Sequence, residues 1–210
     1  MEELLYDSND MVRMGCNDCK GCFDCCVGMG ESIVLDPYDI YLLTTNLNCS
    51  FEALLQQYVD LKVFSGLILP HIKMQEVGDK CGFLNEEGRC GVHAFRPGLC
   101  RLFPLGRNYT EDKLQYFLLQ DACTSANRTK VKVKKWLEVE DYKKYETFLI
   151  AWHRLRKILQ EAMEADELEE AEADQYRKQI NMNMLKLFYQ IPYEKGDFYE
   201  QFCMRKEEFR

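Results

Sequence analysis

Five cysteines fall within eleven residues, in the run Cys16-x2-Cys19-x2-Cys22-x2-Cys25-Cys26. Two cysteines at C-x2-C spacing place both sulfurs on one side of a tight turn, within reach of one metal ion. Zinc and iron–sulfur sites reuse the spacing for that reason. The run ends in Val27-Gly28-Met29-Gly30, a loop signal. A segment built this way is expected to be irregular and organised by a metal. Cys25 and Cys26 are adjacent, so their side chains diverge and could serve two centres, or one could ligate while the other packs.

The rest of the cysteine pattern extends the same reading. The chain has 11 cysteines in 210 residues, ten of them within residues 1–123. Cys81, Cys90, Cys100 and Cys123 form a second set. Their spacings are too wide for one local knuckle, but they can converge in space on sites begun by the first run. The nine clustered cysteines and His93 make ten candidate ligands, enough for two four-coordinate sites. Cys49 and Cys203 stand apart and read as packed apolar thiols. His71 and His153 are lone histidines, read as packed or surface residues rather than ligands. The sub-pattern Cys16-x2-Cys19-x2-Cys22-x3-Cys26 has the spacing of a bacterial ferredoxin run, with Val27 where that run has Pro and no second copy.

Charge divides where the cysteines do. Up to Cys123 there are 10 basic and 18 acidic residues, and from Thr124 onward 17 of each. The net charge of -8 argues against a nucleic-acid binder, which normally carries a basic footprint. The first residues are acidic and lack the basic-then-apolar plan of a signal peptide. No apolar stretch approaches the length that spans a bilayer. The expectation is a cytoplasmic protein without membrane or nucleic-acid partners. There thiols stay reduced, and clustered cysteines bind metal or do redox chemistry more often than they form disulfides. Four thiolates around a divalent ion leave net negative charge, and Arg96 and Arg101, flanking Cys100, are candidates to offset it from outside the ligand set.

Patterning elsewhere is mostly helical. Residues 1–15 read as a short leader. Asp36-Pro37 opens a helix, and Ser50 caps a second whose apolar positions run from Phe51 through Leu54, Leu55 and Tyr58 to Val59. Residues 66–74 and 114–120 read as short strands, with a loop-rich block over 81–100. From Val131 onward two apolar stripes have helix period. One runs from Tyr145 through Trp152 to Met163, the other through Leu168, Ala171, Tyr176, Ile180, Met184, Leu187 and Phe188. Between them residues 161–174 carry eight acids and no base, the expected tip of a helical hairpin. A third short helix follows Gly196. The expected fold is mainly α with one or two short strands. A cysteine-rich, metal-organised core over residues 1–125 packs against a helical extension over 126–210.

The core Cys19-x2-Cys22-x2-Cys25-Cys26, followed by Cys90-Gly91-Val92-His93-x2-Arg96-Pro97-x2-Cys100-Arg101-x-Phe103-Pro104, resembles the YkgJ-type cysteine cluster family, the CxxCxxCC putative zinc- or iron-chelating domain. The resemblance covers roughly residues 16–125. It implies chelation of zinc or iron through these cysteines, with an iron–sulfur cluster as one form the metal could take. The ligand set expected is Cys16, Cys19, Cys22, Cys25, Cys26, Cys81, Cys90, Cys100 and Cys123. The flagellin lysine N-methylase is a relative of this domain, so the alternative is an iron–sulfur enzyme performing redox chemistry or methyl transfer. The sequence holds no phosphate loop, no nucleophile–base pair and no nicotinamide or flavin fingerprint, which favours a binding module with a metal ion, and a protein, as partners.

Overall fold

Asp36 ends an extended segment and starts the first helix, α1 (Pro37–Leu47), through a capping box. Its side chain accepts from Asp39 N at 2.9 Å, and the Asp39 carboxylate accepts from Asp36 N at 3.0 Å. Pro37 sits at the first helical position, where a missing N–H costs nothing. The helix stops at Asn48 in the left-handed conformation. Ser50 caps α2 (Phe51–Gln57) by accepting from Ala53 N at 3.3 Å. The computed structural model describes residues 4–15, 22–111, 113–120, 122–123, 128–164 and 170–209.

Strands are more numerous than the sequence suggests. Among the described residues seven short strands form three antiparallel sheets. β1 (Leu5–Tyr6), β6 (Leu114–Leu118) and β5 (Leu105–Tyr109) make one sheet in the order β1-β6-β5. β2 (Met11–Gly15) pairs with β7 (Thr129–Lys132), from Met11 opposite Lys132 to Gly15 opposite Thr129. β3 (Val59–Phe64) and β4 (Leu67–Ile72) form a hairpin across Ser65 and Gly66, both at positive φ. Within the segment expected as a short leader, residues 4–15 instead carry β1 and β2, each a strand of a different sheet. The second helix ends at Gln57, and Val59, expected on it, opens β3. The helical reading from Val131 is likewise corrected, since Val131 and Lys132 complete a strand before α4 (Val133–Trp136) begins.

The C-terminal region is helical. α5 (Tyr142–Glu164) buries Tyr145, Phe148, Leu149, Trp152, Leu159 and Met163, the stripe read from the sequence. α6 (Glu170–Leu185) continues into a π-helical turn, Lys186–Gln190. Its buried face is Ala173, Ile180, Asn181, Met184 and Leu185, while Tyr176 is exposed. Leu168 and the middle of the acidic run lie outside the described residues. α7 (Phe198–Glu208) is capped by Asp197 and packs Phe198 and Phe202 edge-on to Phe148, at 5.2 and 4.8 Å between ring centres. Each such aromatic pair adds about 0.5–1.5 kcal/mol beyond the area it buries. Arg205 then ties α7 back to the π turn. Its guanidinium donates to the carbonyls of Leu187, Ile191 and Pro192 at 2.7–2.8 Å and lies 3.6 Å over the Tyr193 ring.

One hydrophobic core spans both halves, from Val12, Leu35 and Leu69 to Trp152, Phe188 and Phe202. Asn181 crosses between them. Its Oδ1 accepts from Ile68 N at 2.6 Å, and its Nδ2 donates to the Gly66 carbonyl at 3.3 Å. Among the described residues no helix is long and apolar enough to cross a membrane.

Candidate metal site

Three loops and a short helix bring the cysteines together. Asp24–Cys26 forms a single 3-10 turn that carries Cys25 and Cys26. Cys81 N donates to the Cys26 carbonyl at 2.8 Å, which fixes the second loop against the first. Cys90 pairs with Leu84 across a tight loop, closed by Gly91 N donating to the Phe83 carbonyl at 2.8 Å. Cys100 lies on α3 (Gly98–Leu102). That helix is anchored by Gly98 N donating to the buried Asp39 carboxylate at 2.7 Å. Asp39, in the first turn of α1, therefore has a second task. It locks α1 to the helix carrying Cys100.

Six cysteines, Cys22, Cys25, Cys26, Cys81, Cys90 and Cys100, line one cavity of about 80 Å³. Its remaining wall is largely apolar, with Ile33, Met74, Phe83, Phe103 and Trp136, and Arg89, His93 and Arg96 at the edge. Trp136 is held by its indole N–H donating to the Phe103 carbonyl at 3.0 Å. Among the described residues, no group of three or more Cys, His, Asp or Glu is arranged to hold a metal ion as it stands. The sulfurs share a wall without converging on one point. Cys16 and Cys19 lie outside the described residues. Cys123 follows β6, and its carbonyl accepts from Arg128; it is not among the cavity-lining residues.

The electrostatics follow from burial. The Cys26 thiol donates to Cys25, which pulls the Cys25 thiol down to about 7, with Arg96 helping, and raises that of Cys26. Burial pushes Cys81 and Cys90 up, and Cys100 well up. A poorly solvated thiol wall disfavours its own ionisation until a cation compensates, and metal binding to thiols is coupled to proton release for this reason. Burial and the neighbouring Arg96 lower His93.

The arginines divide. The Arg96 side chain is 12% exposed, touches the His93 ring and pairs with Glu138 at 3.3 Å. Arg101 turns away from the cavity, donating to the Ala94 carbonyl at 2.9 Å and the Glu138 carbonyl at 3.4 Å. It holds the backbone around α3. Arg89, beside Cys90 in sequence, is the cationic wall residue that reading the motif missed, although adjacency to a cysteine could have flagged it. Cys49 is half-buried, but Cys203, expected to be packed, is exposed. His71 is buried, with Nδ1 against the Glu31 carbonyl at 2.7 Å, and His153 stacks on Tyr109 at 4.1 Å.

A cavity walled by sulfur and built on irregular loops places the chain among cysteine-cluster proteins. A family model for the CxxCxxCC putative zinc- or iron-chelating domain matches residues 18–124, and the chain belongs to that family. The family's description supports metal binding in general. It carries neither an iron–sulfur cluster nor methyl transfer. Comparison with curated proteins and with solved structures returned no match.

Proposed function

We propose that this protein binds zinc or iron through the thiolates of its clustered cysteines and acts as a metal-binding module. The observation that supports this reading is the gathering of six cysteines, from segments up to 78 positions apart in sequence (Cys22 to Cys100), on one small cavity. The donor set fits such a metal. It is sulfur-dominated, with His93 as the one imidazole on the lining, a soft set suited to zinc and to iron in its thiolate-bound forms. Cys22, Cys25, Cys26, Cys81, Cys90 and Cys100 are the ligands proposed from the wall, and Cys16, Cys19 and Cys123 complete the set from flanking segments. Arg96 and Arg89 would offset the thiolate charge from the rim, and Arg101 would keep the Cys100 helix in place. A bound metal would supply a cross-link among loops that otherwise have few regular hydrogen bonds. Residues 1–125 then form the metal domain and 126–210 the extension against which it packs, in a protein of the cytoplasm.

The test is anaerobic purification with metal and sulfide analysis and a visible spectrum. Stoichiometric zinc without colour, or iron, supports metal binding, and acid-labile sulfide with a brown chromophore assigns a cluster. Cys81→Ser and Cys100→Ser should each lower the metal content. A protein that carries no zinc or iron after purification, and takes up neither under reducing conditions, refutes the reading.

A further inference from the structure

A second cavity, of about 270 Å³, lies where the loop before α1, strands β3 and β5 and helix α5 meet. None of the clustered cysteines lines it. Its polar wall is made by Arg107, Arg156 and His153, with Asp36 and Asp39. Three of these side chains hold a buried nitrogen with no hydrogen-bond partner among the described residues: Arg107 Nε, Arg156 Nε and His153 Nδ1. Unsatisfied buried donors are rare because each forfeits its hydration, and a guanidinium forfeits more than a neutral group. The two guanidinium nitrogens are donors on one cavity and call for an acceptor, while the imidazole nitrogen takes either role with its tautomer.

The structure supplies that acceptor only in part. Arg107 donates to Tyr145 Oη at 2.8 Å and lies over that ring. Arg156 makes no hydrogen bond or ion pair with any described residue, although the Asp36 charge lies within its field. The two carboxylates are engaged elsewhere, capping each other's backbone and holding Gly98 N. The cavity thus presents two cations and an imidazole, with carboxylates already committed to the backbone.

We infer that this cavity binds a small organic carboxylate. An oxyanion there would give the guanidinium edges of Arg107 and Arg156 the acceptor they lack, after a modest swing of the side chains, and planar guanidinium matches planar carboxylate bidentately. Trp152, Phe64 and Leu149 offer an apolar wall to a carbon body, so a bare inorganic ion leaves much of the space unfilled. The Asp36 carboxylate on the same wall repels a doubly charged ligand more than a singly charged one, which selects carboxylate over phosphate. The inference stands apart from the metal site, and the two can fail separately.

The test is calorimetric titration of the full chain, at constant ionic strength, with benzoate and separately with inorganic phosphate. Benzoate should bind saturably and phosphate more weakly. Arg156→Gln should weaken benzoate binding roughly tenfold or more, the effect of losing hydrogen bonds to a charged group. Lys157→Gln, which removes a charge from the exposed side of the same helix, should leave it unchanged. If Arg156→Gln proves unfolded by circular dichroism, Arg156→Lys decides, because it keeps the charge but loses the fork and should still bind several-fold more weakly. Absence of saturable benzoate binding, equal binding by the folded Arg156 variant, equal loss in Lys157→Gln, or phosphate binding as tightly as benzoate each overturns the inference.

Discussion

Adding one methyl group at Gly98 would set a Cβ 2.5 Å from Tyr145 Oη and 2.9 Å from Arg107 Nη2, with Asp39 Oδ1 at 3.5 Å. Neither near neighbour has an easy way out. Tyr145 is 1% exposed and wedged among Tyr38 and Phe148, and its hydroxyl is bonded to the same Arg107. Overpacking of this kind costs about 1–3 kcal/mol, and two held neighbours place Gly98→Ala in the upper half of that range. For a chain of this size that lowers Tm by roughly 4–12 °C. The assay is urea unfolding of Gly98→Ala, Tyr145→Phe and the double variant. Tyr145→Phe alone loses the bond to the Arg107 guanidinium, worth about 1.5–3 kcal/mol. In the double variant the missing hydroxyl makes room for the methyl, so the two losses should sum to less than additive by at least about 1 kcal/mol. Gly98→Ala as stable as the parent, or strictly additive losses, would show that the close approach does not govern this position.

Three further outcomes are expected. Burial, and then the neighbouring Asp36, raise the Asp39 carboxyl well above its ordinary value. The folded state therefore holds that proton more tightly than the unfolded chain, and stability should fall as pH rises from about 4 towards the folded-state value, by at most about 1.4 kcal/mol per pH unit. Asp39→Asn should flatten that slope while costing about 1–3 kcal/mol, since its amide leaves Asp36 N or Gly98 N without an acceptor; urea unfolding of chelated, reduced protein across pH 4–7 reads both, the window being roughly that between carboxylate and imidazole titration. Asn181→Leu removes the acceptor of Ile68 N and should cost about 1–3 kcal/mol by denaturant unfolding, with earlier amide exchange in the β3–β4 hairpin. Arg205→Lys keeps the charge but cannot span three carbonyls and the Tyr193 ring, so it should lose about 2 kcal/mol or more by the same assay, and parent-like stability would refute the capping role.

Local chemistry is what the sequence makes legible. Asp36-Pro37 and Ser50 mark helix starts because their signals act over three residues, and the α5 stripe survives because one long helix repeats it many times. β3 was hidden because Tyr58 and Val59 continue the helical spacing of α2, and only pairing with β4 turns the chain. β1 and β2 are set by partners more than 100 positions away, Phe117 and Lys132 among them, and no local pattern carries that information. The same division holds at the cysteine-lined cavity. Its cysteines announce themselves by spacing. The Asp39 contact to Gly98 spans 59 positions, and the apolar wall of Phe103 and Trp136 looks like ordinary core until the fold places it. Tyr176 fits the α6 stripe by number yet faces solvent, since the burial there rests on Ala173 and Asn181.

The pairing of β2 with β7 has a consequence for how this domain could be carried between proteins. Gly15 lies opposite Thr129 so closely that a Cβ on Gly15 would stand within van der Waals overlap of the Thr129 side chain. The family match begins at residue 18 and ends at 124, just inside that clasp. The described residues that flank it, Gly15 and Thr129, are therefore neighbours, and the chain between them starts and ends at one ribbon. A unit whose ends already meet can be inserted into a surface turn of another chain without pulling that host apart.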